Sequence, residues 1–369
     1  MMKLMLSTAI ALAATPVFAD FNLRTPLGVE ESPDIQAAPV PEGLSSIDCG
    51  IAHCYGLKGG TIWSVGSNSN GQLARGGEGK VWGDTGVPAS QVSAGANHGY
   101  AIHSNGRIWS VGDNQYGQLG RAGTTDQSAW GETDLSASFI EAGTYQGYAI
   151  NDGKVWSVGR NNYGQLGRSG TTTMHDWGQT NLSASKISAG YYHAYALSNG
   201  EVFSVGYNGN GELGLGDSLT RHTWTSTGMQ ATDIAAGWQH GYIISNNTIF
   251  STGYNYHGQL GRTGLTNAFY DTGIPADKVY AGANHGYALS GGKLWSVGYN
   301  AFGQLGLADN TNRTMWENTG LDASYVYAGR NVGYIRHGLN IFAAGENGSG
   351  QLGLGSTGDR NAFTQVVYD

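Results

Sequence analysis

The sequence predicts an all-β fold, a seven-bladed β-propeller with four-stranded antiparallel blades, and three observations lead there. A segment of the form SVG-x-N-x-x-GQLG recurs seven times, with its first glycine at Gly66, Gly112, Gly159, Gly206, Gly253, Gly298 and Gly345 and spacings of 45 to 47 residues. A second element, AG-x-x-H-x-Y-A, recurs in step with it at Gly50, Gly95, Gly143, Gly190, Gly237, Gly282 and Gly329. The 369 residues include 61 Gly, only 7 Pro and 12% charged residues. That much glycine is costly inside helices and useful in turns, and it has no collagen-like period.

Each period divides into four short strands. In the second, residues 91–94 (QVSA) form strand a, GYAIHS strand b and RIWSVG strand c. A weaker strand d follows GQLG and ends near an aromatic residue, namely Trp82, Trp130, Trp177, Trp224, Tyr270, Trp316 or Phe363 in successive periods. Four strands in about 45 residues is the signature of a propeller blade. The repeats occupy residues 43–369 and leave no room for a second domain.

The pairing of AG-x-x-H with GQLG at this spacing resembles the regulator of chromosome condensation (RCC1-type) repeat family of seven-bladed propellers. Secreted proteins of related architecture act as protein inhibitors, among them a β-lactamase inhibitory protein whose blades share AG-x-x-H and N-x-x-GQ. The resemblance therefore implies a binding scaffold. It fixes the partner less closely than the fold, because function lives in sites grafted on folds.

Residues 1–19 read as a secretory signal, with Lys3 in a positive n-region, an apolar stretch from Leu4 to Ala14, and Val17-Phe18-Ala19 before Asp20. The apolar stretch is too short for a membrane anchor, and no cysteine follows it to carry a lipid. Residues 20–42, with four Pro, read as an acidic leader or linker. The stretch 20–48 sets Asp20, Glu30, Glu31, Asp34, Glu42 and Asp48 against Arg24 alone, so the net charge of −8 leaves the repeats close to neutral. The expectation is an exported monomer, periplasmic or extracellular, with no membrane anchor and no basic surface for nucleic acid.

Residues placed identically in every period are expected to pack blade against blade. These are the aromatic ladder Trp63, Trp109, Trp156, Phe203, Phe250, Trp295 and Phe342, and the tyrosine ladder Tyr55, Tyr100, Tyr148, Tyr195, Tyr242, Tyr287 and Tyr334. His53, His98, His193, His240 and His285 are likewise equivalent, with Gln146 and Val332 in the other two places. One imidazole per blade fits a hydrogen bond to turn backbone better than a metal site, so neither metal nor cofactor is expected. Cys49 and Cys54 flank a four-residue turn at positions that hold only Ala or Gly in the other periods, as in Ala94 and Gly99. Opposed hairpin residues lie within disulfide reach, so an exported chain should bridge them.

The two faces differ. The b–c turns are plain hairpin chemistry: Asn105-Gly106, Asp152-Gly153, Asn199-Gly200, Asn246-Asn247 and Gly291-Gly292. The a–b and c–d turns, on the opposite side, carry Tyr116, Tyr145, Tyr163, Tyr191, Tyr192, Tyr207, Trp238, Tyr254, Tyr256, Tyr299 and Phe302, beside one Asn per period. Tyr and Trp give large contact area at low entropy cost, and Asn adds adaptable hydrogen bonds. The expected function is recognition of a partner protein on this face, as an inhibitor or adhesion module; the alternative is lectin-like binding of a surface glycan on the same rings. No nucleophile elbow, metal spacing, phosphate loop or paired carboxylates suggest an enzyme. The exchange-factor role of the nuclear family members is not expected of an exported chain.

Overall fold

In the computed structural model, residues 43–368 are described, apart from Glu78 and Leu265. The signal, and the leader up to residue 42, lie outside them. Among the described residues there is no helix; 27 strands make up the fold. The first seven strands are β1 (Ser46–Cys49), β2 (His53–Lys58), β3 (Thr61–Gly66), β4 (Gly83–Ala94), β5 (His98–His103), β6 (Arg107–Gly112) and β7 (Gln127–Ser136). They form one antiparallel sheet in chain order. Five four-stranded antiparallel sheets follow, spanning residues 139–183, 186–230, 233–275, 278–322 and 325–365.

Strand a of the second repeat is not a separate element. β4 is a single strand of 12 residues, pairing with β3 at Trp63↔Asp84 and with β5 at Val92↔Ala101. A register irregularity between Ala89 and Gln91 bends it from one repeat into the next. Asp48, the last acid of the acidic stretch 20–48, lies in β1. Its carboxylate accepts hydrogen bonds from Ser93 Oγ at 2.8 Å and the Ala94 N–H at 3.1 Å.

The motif residues tie each repeat together. All seven Asn side chains accept a hydrogen bond from the leucine N–H of the following turn, as at Leu73 N to Asn68 Oδ1, 2.8 Å. The b–c hairpins have the left-handed backbone that their Asn/Asp-Gly sequences require, with φ of 48° at Asp152 and 73° at Gly153. The tyrosine ladder is fully buried. Each of its hydroxyls donates to the main-chain carbonyl of the Gln or Glu in the motif of its own repeat, as from Tyr148 to Gln165 at 2.7 Å.

The same rings pack outward against the next repeat. A Cβ on Gly99 would lie 2.2 Å from Tyr55 Cε2, so the small residue opposite each strand-a terminus is what admits the ring. An aromatic from strand d of the next repeat covers it: Trp130 over Tyr55 at 5.3 Å, Trp224 over Tyr148 at 6.2 Å and Trp316 over Tyr242 at 5.5 Å. These aromatics sit near the start of strand d, not its end; Trp130 is the fourth residue of β7. In the fifth repeat the covering ring is Phe269, 5.6 Å from Tyr195, not Tyr270. Tyr270 instead lies under the Arg262 guanidinium at 5.0 Å.

Seven hydrophobic clusters lie between consecutive repeats, and one of them joins the last repeat to the first through Cys49, Cys54, Trp82, Tyr334, Leu352 and Val366. Cys49 and Cys54 are directly paired and disulfide-bonded, with Cα atoms 4.0 Å apart. Replacing them with the Ala and Gly found in other repeats should keep the fold and lower stability by ~2 kcal/mol, the entropy of a short closed loop. Urea unfolding of Cys49→Ala/Cys54→Gly checks this; an unchanged midpoint would show that the bridge adds nothing.

Candidate functional site

The geometry gathers the aromatic residues of the a–b and c–d turns. Two features of the motif aim them. The motif Gln holds the c–d turn by accepting the N–H two residues earlier: Tyr116 N to Gln118 Oε1 and Tyr163 N to Gln165 Oε1, both 2.9 Å, and Phe302 N to Gln304 Oε1, 3.1 Å. The a–b turns are linked to one another by backbone hydrogen bonds from repeat to repeat: Tyr191 N to Trp238 O at 3.3 Å, Trp238 N to Ala283 O at 3.2 Å and Ala283 N to Arg330 O at 3.1 Å. Rings presented this way stand on fixed backbone rather than on mobile loops.

Ring contacts sort the eleven predicted residues into two groups. Tyr116 meets Tyr145 at 5.3 Å, Tyr145 meets Tyr191 at 6.0 Å, and Tyr191 meets both Tyr192 at 4.1 Å and Trp238 at 5.3 Å. Tyr163 extends this group, lying 4.8 Å from Tyr192 and 5.0 Å from Tyr207. The second group runs from Tyr254 to Tyr256, through His257 to Tyr299 and on to Phe302. Tyr256 is 80% exposed; the other ten are half-buried.

The repeated Asn residues do not belong to this surface. Asn114, Asn161, Asn208, Asn300 and Asn347 are buried, and all seven motif Asn are committed to their own turns, so the Asn-rich character expected of the face is structural. Two arginines do belong to it, and sequence reasoning passed over them. Arg160 lies 4.9 Å from the Tyr116 ring, 5.5 Å from Tyr145 and 5.0 Å from Tyr192, whose hydroxyl accepts from its Nη1 at 3.1 Å. Arg330 lies 5.1 Å from the Trp238 ring. Burial and the adjacent Tyr191 push the Tyr192 hydroxyl up to about 12, with Arg160 opposing.

A cavity of about 520 Å³ opens beside this face, lined by the first strands of all seven repeats and ending at Ile51, Ala96, Thr144, Trp238, Ala283 and Arg330. Its wall carries Asp48, Glu141, Lys186, Asp233 and Lys278. Asp233 pairs with Lys186 and lies 4.0 Å from Lys278. Burial raises Asp48 to about 6 against hydrogen bonds from Tyr327, Ser93 and Ala94. Burial raises Glu141 to about 8, with the Asp48 charge adding to it. Among the described residues, no group of three or more His, Cys, Asp or Glu is placed to hold a metal ion.

The histidines lie elsewhere, each ring stacked edge-on to the tyrosine two residues on, as His53 to Tyr55 at 5.0 Å. A Cβ on Gly95 would lie 2.0 Å from His98 Cε1, so each imidazole covers the glycine of its own turn. At the third repeat, where Gln146 replaces His, its amide donates to Gly190 O of the next repeat at 3.1 Å.

Two segments, residues 89–118 and 152–197, match the family model of the regulator of chromosome condensation (RCC1) repeat. The chain carries RCC1-type repeats. Solved structures with RCC1-type architecture are similar throughout. Human WBSCR16 has a TM-score of 0.73 and 19% identity, covering 83% of this chain and 93% of its own. Yeast RCC1 (Prp20), bound to Kap60, also has a TM-score of 0.73, at 17% identity with 92% and 90% covered. Prp20p from Saccharomyces cerevisiae, in a structure described together with its binding to Gsp1p and histones, scores 0.73 at 19% identity with 88% and 87% covered. No curated protein matches this RCC1-repeat chain in sequence.

Proposed function

We propose that this chain is an exported, non-catalytic binding module. In this reading the repeats form a seven-bladed ring, and the face of a–b and c–d turns engages a partner protein through Tyr116, Tyr145, Tyr163, Tyr191, Tyr192, Tyr207 and Trp238, with Tyr254, Tyr256, Tyr299 and Phe302 beside them. The seven interfacial clusters, one linking the last repeat to the first, support the ring. The observation that carries the function is the contiguous surface of seven aromatic rings on rigid turns. Such amphipathic, rotamer-poor side chains are what protein interfaces concentrate. The rings meet at 51° to 72°, edge against face, which gives a corrugated surface for side chains rather than a flat platform for a sugar. Prp20, of the same fold, binds Kap60, and a protein partner is the ligand class proposed here as well.

The test is capture of a surface or culture extract on the chain lacking residues 1–19, run beside a glycan array. A stoichiometric protein partner should be retained by the wild type and lost, by at least about 100-fold in affinity, by Tyr191→Ala/Trp238→Ala, as expected for two central hot spots. The variant's melting should stay within a few degrees of the parent. Partner binding indifferent to both substitutions, or saturable sugar binding that changes tryptophan fluorescence, would overturn the reading.

A further inference from the structure

Resting on that reading, we infer that the partner presents an acidic surface, with carboxylates set against Arg160 and Arg330. Charge is scarce in this chain, and several cations elsewhere in the repeats pair with carboxylates: Arg107 with Glu132 at 3.2 Å, Arg221 with Asp217 at 2.6 Å, Lys293 with Asp322 at 2.6 Å and Arg313 with Asp309 at 2.6 Å. Arg160 and Arg330 sit on aromatic rings, as Lys58, Arg262 and Arg336 also do, but theirs are rings of the aromatic face. The Arg160 Nε is buried without a hydrogen-bond partner. The acids at the place that Arg160 holds in its own repeat are engaged by amides, since Asp113 accepts from Gln115 Nε2 at 3.2 Å and Glu346 from Asn331 Nδ2 at 2.8 Å.

The two guanidinium groups belong to one surface. Arg160 touches Tyr145, Tyr145 touches Tyr191, Tyr191 touches Trp238, and Trp238 carries Arg330. A guanidinium held flat on a ring has lost little freedom still to lose, and its fork matches a carboxylate bidentately. An apolar partner covering both cations would carry their desolvation cost with no counter-charge. An acidic one gains steering during encounter as well as pairing at contact.

The probe is a phage-displayed library of random dodecapeptides panned on the chain from residue 20 onward, with Tyr191→Ala/Trp238→Ala as the counter-screen. Peptides that need the aromatic face should be enriched in Asp and Glu. A selected peptide should lose about tenfold in affinity with Arg160→Gln or Arg330→Gln, and several-fold between 50 and 500 mM salt. Face-dependent peptides with no acidic bias, unmoved by either arginine substitution, would overturn this inference and leave the proposed function standing. If no selected peptide depends on the aromatic face, or if acidic oligosaccharides bind there instead, the proposed function falls and this inference with it.

Discussion

Lowering the pH from 6.5 towards 4 is expected to unfold this protein steeply, with a net uptake of about three protons near pH 5. Burial lowers His53 to about 4 and His98, His193, His240 and His285 to about 3, from an ordinary value of 6.5. The unfolded chain therefore binds protons at these five sites that the folded chain refuses; the stability they confer is complete above pH 6.5 and lost as pH falls towards their folded values. Asp48 and Glu141 act in the opposite sense, because their folded values of about 6 and 8 lie above those of free carboxyls. The folded chain keeps their protons, and that contribution is lost as pH rises through 6 and 8. Between ~pH 4.5 and ~pH 6 the histidines win by about five protons to two, a slope of roughly 4 kcal/mol per pH unit. Two units then remove about 8 kcal/mol, comparable with an ordinary domain stability of ~5–15 kcal/mol. Urea midpoints from pH 4 to 8 would show the slope. Each His→Gln should remove about one proton from it, and Gln146 shows that the site accepts the amide. A slope below one proton, or one unaltered in His98→Gln, would mean that the rings are charged in the native state.

The repeat made the architecture legible. A motif recurring at 45 to 47 residues specifies its own turns, and the Asn, Gln and Tyr of each copy bond within that copy. Local information suffices for such bonds. The aromatic face was legible for the same reason, since strand alternation alone decides which turns share a side. What the rings touch was not, because Tyr145 and Tyr191 come from different repeats and meet only when the strands are stacked. Arg160 and Arg330 stand at variable positions and each is the single arginine at its place among the seven repeats, so no pattern marked them. The Phe269–Tyr270 pair was read in the wrong register because two adjacent aromatics satisfy the same spacing where the period shortens to 45. The cavity wall was hidden for a related reason. The Tyr325 and Tyr327 hydroxyls donate to Ile47 O and Cys49 O, each at 3.0 Å across 278 residues of chain, and pairing at that separation leaves no trace in a repeat.

The same long-range contacts identify where the fold should be weakest to attack, and Trp82→Ala is expected to cost ~3–5 kcal/mol, as for a large aromatic removed from a fixed core. Trp82 is fully buried, lies 6.1 Å from Tyr334 of the last repeat and bridges to Tyr368. Gly353 sits against it; a Cβ there would be 2.4 Å from its Cδ1, so the neighbouring backbone leaves no slack for repacking. Every other interface between repeats is also held by the chain running through it. The interface between the last repeat and the first has no such link and depends on non-covalent contacts: Trp82, the two tyrosine hydroxyls on β1, the cluster around Cys54, and backbone contacts at Trp82–Tyr368 and from Gly355 N to Lys80 O. Trp130 occupies the equivalent place between the first and second repeats, where β4 runs continuously. Trp82→Ala should therefore unfold at lower urea than Trp130→Ala and expose residues 360–368 to protease before global unfolding. Equal midpoints and equal protection of that segment in the two variants would show that the interface is no weaker than the rest.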